Sequence, residues 1–190
     1  MAGPIIFIIL IVLGIPILLV FFVIGLYNAL IRLRNQVDNA WSQIDVQLKR
    51  RHDLIPNLVE TAKGYMKHER GTFEAITNAR SQAMGAKSVS EASKAEGVLG
   101  EALSKFMLVV ENYPDLKANQ NFLALQEELT ATENRIAFAR QSYNDQVLGF
   151  NNKIQMFPSN IVAGIFKFDK RDFFEIKVAA EREVPKVSFS

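Results

Sequence analysis

Residues 4–27 of the chain read PIIFIILIVLGIPILLVFFVIGLY, and no charged side chain occurs before Arg32. An apolar run of this length exceeds the roughly 20 residues that a helix needs to cross the hydrocarbon core of a bilayer. A cleaved signal peptide is the alternative, but no basic residue precedes the run, the run is too long, and no small-residue cleavage site lies before Arg32. We therefore expect residues 1–31 to form an uncleaved transmembrane anchor.

The distribution of basic residues around this segment predicts its orientation. Only the α-amino group precedes the segment, whereas Arg32, Arg34 and the run Lys49-Arg50-Arg51 follow it. Segments rich in Lys and Arg stay on the cytoplasmic side of a membrane. The N-terminus is therefore expected outside and the rest of the chain in the cytoplasm, with a single crossing of the lipid bilayer.

Beyond the anchor, apolar residues recur at intervals of three and four, which is the pattern of amphipathic helices that pack as a coiled coil or bundle. The expected helices cover residues 30–84, 91–112 and 114–156. Pro56 lies inside the first helix and either kinks it or divides it in two. Short links favour antiparallel neighbours, so we predict an all-α fold in which the transmembrane helix continues into a long antiparallel helical bundle over residues 32–158.

Residues 159–190 differ from the bundle in composition. They combine a short amphipathic stretch with Phe173 and Phe174 and an extended ending, and we predict a separate aromatic-rich tail. So many phenylalanines need an apolar surface to cover them. The tail packs on its own bundle, on the bilayer surface or on a neighbouring copy, and the sequence leaves these three open.

The composition argues against several functional classes. The net charge is +2 with both signs mixed, which does not provide the basic stripe that nucleic acid requires. Cysteine is absent, and the two histidines, His52 and His68, have no second ligand at metal-binding spacing. No nucleophile elbow, phosphate-binding loop or dinucleotide fingerprint occurs in the sequence. We expect a protein that is not an enzyme and that has no cofactor, no metal and no nucleic-acid partner.

Five polar residues fall on or beside the predicted apolar stripes, where solvated side chains are not expected. They are Arg51, Asn134, Arg140, Tyr143 and Asn144. Buried polar networks fix the register of some helical bundles, which is one interpretation of this set. The other interpretation is that these residues only flank the stripes.

Several long motifs resemble the signature of the LemA family. The first is AWSQIDVQLKRR at residues 40–51, which contains Trp41 and Asp45 and runs into DLIPNLV at 53–59, with Asp53, Pro56 and Asn57. Further motifs are YPDLKAN at 113–119, with Tyr113 and Pro114, then ENRI at 133–136 and VPKVSF at 184–189. The resemblance extends from about residue 28 to the C-terminus.

The resemblance implies a bacterial protein of the cytoplasmic (inner) membrane, with one N-terminal span and an antiparallel helical bundle. It carries over no catalytic residues, so the motif residues are candidates for structural or interaction roles. LemA-like proteins are often associated with membrane zinc proteases similar to HtpX. The resemblance therefore adds a membrane protease to the expected partners.

Two functions follow from these expectations. In the first, the protein is a non-enzymatic scaffold that self-assembles as a homo-oligomer and organises membrane or envelope components. The long apolar stripes and the aromatic tail favour this function, because a first helix of that length exposes more apolar surface than two shorter helices cover. In the second, the protein is an adaptor or regulator of a membrane protease, with the tail and residues 53–59 as contact surfaces.

Overall fold

The computed structural model describes the backbone of residues 2–175 and the side chains of residues 12–175. Over this range the chain forms six α-helices: α1 (Ala2–Lys63), α2 (Arg70–Met84), α3 (Val89–Val110), α4 (Pro114–Lys117), α5 (Gln120–Gln155) and α6 (Ser159–Ile165). The all-α fold expected from the sequence is confirmed. The end of the predicted tail, including the motif at residues 184–189, lies outside the described residues.

The first helix passes through Pro56 and ends at Lys63, so a break at Pro56 is not observed. The expected single helix over residues 30–84 is nevertheless wrong, because residues 64–69 separate α1 from α2. The amides of Tyr65 and Met66 both donate to the carbonyl oxygen of Ala62, at 2.9 Å, and close a turn there. Glycine at position 64 is a poor helix former. The side chain of Met66, in this turn, is buried in the core of the bundle unit.

Among the described helices, α1 is the one that is long and apolar enough to cross a bilayer. Its large apolar side chains from Val12 to Ile24 are exposed. Burial begins with Leu26 and Tyr27, which are half-buried, and Leu30 is fully buried. The apolar surface that the rest of the chain leaves uncovered on α1 therefore ends close to Tyr27.

The chain divides into two compact units. The anchor unit contains α1 up to Trp41 together with Asn144–Arg171, and the bundle unit contains Ser42–Tyr143 together with residues 172–175. This division groups residues by compactness. The domain limits expected from the sequence, 1–31, 32–158 and 159–190, stay a prediction.

The core of the bundle unit is built from four helices and the short α4. Its largest members lie on α1, α2, α3 and α5 and include Ile55, Leu58, Phe73, Ile76, Leu99, Phe106, Phe122 and Leu129. The ring of Phe106 lies between those of Phe73 and Phe122, with centroid distances of 6.2 and 6.3 Å. Burying each of these rings contributes about 1.5–3 kcal/mol, so this aromatic row is a main source of cohesion between α2, α3 and α5.

In the anchor unit, α1 packs with the end of α5 and with α6. The ring of Phe168 lies 6.4 Å from that of Phe150 on α5 and 5.8 Å from that of Tyr27 on α1. The side-chain amide of Asn151 donates to the carbonyl oxygen of Arg171 and its oxygen accepts from the amide of Arg171, both at 2.9 Å. These contacts hold the chain that follows α6 against α1 and α5.

Candidate functional site

Arg51 on α1 is the centre of a buried ionic cluster in the bundle unit. Its side chain is 2% exposed and contacts the carboxylates of Glu96 on α3 and Glu133 on α5. Glu96 is 1% exposed, whereas more than half of the Glu133 side chain is exposed. One nitrogen of Arg51 also donates to the carbonyl oxygen of Glu96 at 3.3 Å. One guanidinium thus joins three helices, and two carboxylates compensate its charge.

His52 contacts the same carboxylate from the next position on α1. Its Nε2 lies 2.6 Å from Oε1 of Glu96, and its side chain is buried. The carbonyl oxygen of His52 accepts a hydrogen bond from Nε of Arg80 on α2 at 2.7 Å. The shared carboxylate of Glu96 is enclosed by these groups, and the contacts join α1, α2, α3 and α5 within the bundle unit.

Sequence reasoning selected Arg51 but missed its partners. On α3, Ala92, Ser93 and Glu96 are buried together with Leu99 and Phe106, and Ala95, Ala102 and Val109 are partly buried against the same core. An acid spaced four residues after Ala92 and three before Leu99 is the signal that identifies Glu96 as a buried partner for Arg51.

The neighbouring charges of the same motif pair at the surface. Nζ of Lys49 donates to the carboxylate of Asp53, one turn further along α1, at 2.7 Å, and both side chains are exposed. This hydrogen bond lowers the pKa of Asp53. Arg50 contacts Glu128 on α5. Solvent screens such pairs, so they contribute far less to stability than the buried cluster does.

Tyr113 lies in the link between α3 and α4, and Pro114 follows it. Pro114 is the first residue of α4, a position where the missing amide hydrogen costs nothing. The hydroxyl of Tyr113 donates to the carboxylate of Glu69 at 3.0 Å, and this bond raises the pKa of Tyr113. The side-chain amide of Asn119 donates to the hydroxyl of Tyr65 at 2.9 Å. The motif at residues 113–119 therefore connects the α3–α4 and α4–α5 links to the link between α1 and α2.

Residues 172–175 lie against the helices of the bundle unit. The hydroxyl of Tyr143 on α5 donates to the carbonyl oxygen of Asp172 at 2.8 Å, and the hydroxyl of Ser93 on α3 donates to that of Glu175. Phe174 is completely buried, whereas Phe173 is exposed. Of the three surfaces considered for the tail, this part of it uses the chain's own bundle.

The remaining polar candidates are less buried than Arg51 and Tyr143. Asn134 is exposed, and Arg140 and Asn144 are half-buried. Arg51 and Tyr143 are thus the two buried members of this set, and each forms hydrogen bonds within the bundle unit. That the five residues form one network stays a prediction.

The other motif residues on α1 are distributed along its length. Trp41 is half-buried at the end of the anchor unit, while Asp45, Pro56 and Asn57 are exposed in the bundle unit. The carbonyl oxygen of Asn57 accepts a hydrogen bond from the hydroxyl of Thr61 at 2.8 Å. The structure does not bring these four side chains together into one site.

An open groove with a volume of about 630 Å³ lies between α1 and α5 in the bundle unit. Its lining includes Gln43, Val46 and Gln47 from α1 and Arg135, Phe138 and Ser142 from α5. Phe138 is 74% exposed and Val46 is 62% exposed. The side-chain oxygen of Gln47 is shielded from solvent and accepts no hydrogen bond from the described residues. The groove thus presents exposed apolar carbon beside polar side chains.

Within residues 12–175, no group of three or more histidine or acidic side chains is placed to hold a metal ion. The groove is lined by no histidine and no carboxylate, so it lacks the acid–base pair of a hydrolytic site. That the protein is not an enzyme stays a prediction.

The sequence model of the LemA family matches residues 40–189. The chain belongs to the LemA family. The protein of Metamycoplasma hominis named Protein LemA is 30% identical over 172 residues, which cover 88% of this chain and 74% of that protein. Magnetosome protein MamQ 2 of Paramagnetospirillum magneticum and magnetosome protein MamQ of Magnetospirillum gryphiswaldense are each 24% identical over 184 residues, which cover 83% of this chain and 68% of each relative.

Membership of the LemA family confirms the resemblance that the motifs indicate. Together with the exposed apolar helix α1, it makes this a membrane-anchored protein. The matched range includes all described residues of the bundle unit, 42–143 and 172–175. None of the three relatives' names states a catalytic activity.

Proposed function

We propose that this LemA-family protein is a non-enzymatic scaffold of the bacterial cytoplasmic membrane whose copies associate through the groove between α1 and α5. The observation that carries the proposal is the exposure of Phe138 and Val46 at that groove. Aromatic residues are enriched where proteins bind one another, and Phe138, the most exposed of the large apolar side chains of α5, is a candidate anchor.

The energetic gain from covering Phe138 is substantial for a weak interface. Removing a phenylalanine side chain from water contributes about 1.5–3 kcal/mol, and an isologous pair of copies covers two of them. Polar side chains border the exposed apolar carbon of the groove. Arg135 and Ser142 supply donors at its edge.

Anchoring in a bilayer lowers the cost of such an association. Copies held in one membrane share the direction of their spans and are confined to two dimensions, which raises their effective concentration. A twofold axis between them runs along the membrane normal, so the same patch of both copies meets itself. A modest interface, too weak to form a dimer in dilute solution, is sufficient under these conditions.

Cross-linking mass spectrometry on native membranes tests the proposal. Cells carrying the protein with normal and with heavy nitrogen are mixed before membrane fusion and cross-linking, so that links between copies are recognised by mixed labels. We expect mixed-label links from Lys49, which is exposed one turn beyond Val46. A second membrane protein linked in fixed ratio, with no mixed-label links, contradicts self-assembly and supports the adaptor function.

A further inference from the structure

We infer that α6 and its flanking residues form a membrane-surface segment, which inserts apolar side chains into the interfacial layer of the bilayer that α1 crosses. This inference does not rest on self-association. It concerns the anchor unit alone, and the occupant of the surface is the lipid of the chain's own membrane.

The exposed side of this segment is almost entirely apolar. Val162 and Ala163 face inward and are buried. Five large apolar side chains are half or more exposed: Met156, Phe157, Ile161, Ile165 and Phe166, with Phe157 at 80% and Ile165 at 66%. Contiguous apolar patches of this kind are uncommon on surfaces that face only water.

The position of the segment along α1 indicates what covers it. The ring of Phe166 lies 4.7 Å from that of Tyr27. Tyr27 is three residues, or about 4.5 Å, beyond Ile24, and Ile24 is the last residue of the exposed apolar run. The apolar side of α6 is therefore continuous with the surface that α1 presents to lipid, at the level where aromatic rings meet the headgroups.

Basic residues border the same level. Lys167 and Lys170 follow α6 and are exposed, as is Arg32 on α1, while Asp169 is the one acid among residues 156–170. The guanidinium of Arg34 lies 5.6 Å from the ring centroid of Phe168. A short apolar face with cations at its edge is the pattern of segments that lie in the interface and contact lipid phosphates.

Tryptophan fluorescence tests this inference in the full-length chain. Trp41 is the chain's single tryptophan, so Trp41→Phe gives a background in which I165W or F157W reports alone. The variants are reconstituted into vesicles of phosphatidylcholine and phosphatidylglycerol at three to one, with or without bromine near the top of the acyl chains.

Leu148→Trp is the matched control. Leu148 is a half-exposed apolar residue of the same unit, one turn before Asn151. Asn151 holds Arg171, which pairs with Asp38, and Asp38 lies roughly 16 Å along α1 from Tyr27. This control is thus an exposed apolar residue of the same unit that lies on α5, outside the proposed membrane-surface segment.

Brominated lipid is expected to reduce the emission of I165W and F157W at least twofold more than that of L148W. Equal quenching of all three variants overturns the inference. A blue-shifted I165W emission that bromine does not quench also overturns it, because a protein surface rather than lipid then covers α6. If circular dichroism shows that I165W has lost helicity, the quenching of F157W, which lies outside α6, is used for the comparison with L148W.

Discussion

Glu96 on α3 places its carboxylate against the guanidinium of Arg51 on α1, and neither side chain is more than 2% exposed. A carboxylate and a guanidinium that are both removed from water depend on each other, since either one alone is a buried unpaired charge. Glu133 reaches the same guanidinium from the surface of α5. Arg51 therefore has two glutamate partners, one buried and one exposed, and the same Glu→Gln substitution can be made in each.

We predict that Glu96→Gln and Glu133→Gln differ in cost. Glu96→Gln removes the enclosed counter-charge of Arg51 and the partner of His52, and it is expected to lower the free energy of unfolding by about 3 kcal/mol. Glu133→Gln removes an exposed partner and is expected to cost about 1 kcal/mol or less. Urea denaturation of the full chain in lipid discs, followed by circular dichroism, measures both. Equal costs contradict the enclosure of Glu96 beside Arg51.

The hydrogen bond from Tyr113 to Glu69 predicts a pH dependence. The bond raises the pKa of Tyr113, so its contribution to stability is fully present below the ordinary tyrosine pKa of about 10. That contribution is lost as the pH rises through the raised value, because the tyrosinate no longer donates and repels Glu69.

Absorbance titration of tyrosinate measures this shift. The difference between the titrations of the unmodified chain and Tyr113→Phe isolates Tyr113, and Glu69→Gln is expected to lower its pKa. Glu74→Gln is the control, because Glu74 pairs with Arg70 instead. A titration of Tyr113 that Glu69→Gln leaves unchanged shows that the hydrogen bond does not form.

Two adjacent phenylalanines test how the tail is attached. Phe174 is completely buried, so Phe174→Ala leaves a cavity and is expected to cost about 3–5 kcal/mol of unfolding free energy. Phe173→Ala removes a ring that faces solvent and is expected to cost roughly 1 kcal/mol or less. The same denaturation experiment measures the two variants. A negligible effect of Phe174→Ala shows that residues 172–175 are not part of the cooperative unit.

The orientation in the membrane is testable because the chain has no cysteine. Ser81 is exposed on α2, and the basic residues after the span predict that the bundle unit is cytoplasmic. A Ser81→Cys variant is expected to react with a membrane-impermeant maleimide only after the cells are opened. Full labelling of the Ser81→Cys variant in intact cells shows that the bundle unit lies outside and contradicts the predicted orientation.

The sequence alone predicted the apolar helix at the start of the chain and the helical character of the rest, because apolar length and three-to-four spacing are local properties of the chain. Two of the three expected bundle helices, 30–84 and 114–156, are each divided in the structure. The sequence did not predict the break at residues 64–69 because its local signals are weak. They consist of one glycine, and Met66 is buried only through tertiary packing. Residues 70–84, which follow this break, have the same helical pattern as α1 and therefore read as its continuation.

The sequence did not predict which side chains contact one another, for a different reason. Arg51 is identifiable as a charge on an apolar stripe, but its partners Glu96 and Glu133 lie 45 and 82 residues away and become neighbours only in the packed bundle. The attachment of residues 172–175 likewise depends on hydroxyl groups of Tyr143 and Ser93, which lie 29 and 82 residues away from their acceptors. An aromatic tail fits any apolar surface, so its composition did not select one.

The central claim is that copies associate in the membrane through the groove at Phe138, and the most direct test counts copies per particle in lipid discs cut from native membranes. The unmodified protein is expected in particles of two or more copies, and Phe138→Lys in particles of one, because the groove contains Arg135 and no carboxylate, so a lysine enclosed in that contact has no counter-charge. Leu108→Lys is the control, since Leu108 is a similarly exposed apolar residue on α3 outside the groove, and it is expected to behave as the unmodified protein. Single copies of the unmodified protein, or multiple copies that Phe138→Lys leaves intact, contradict the account.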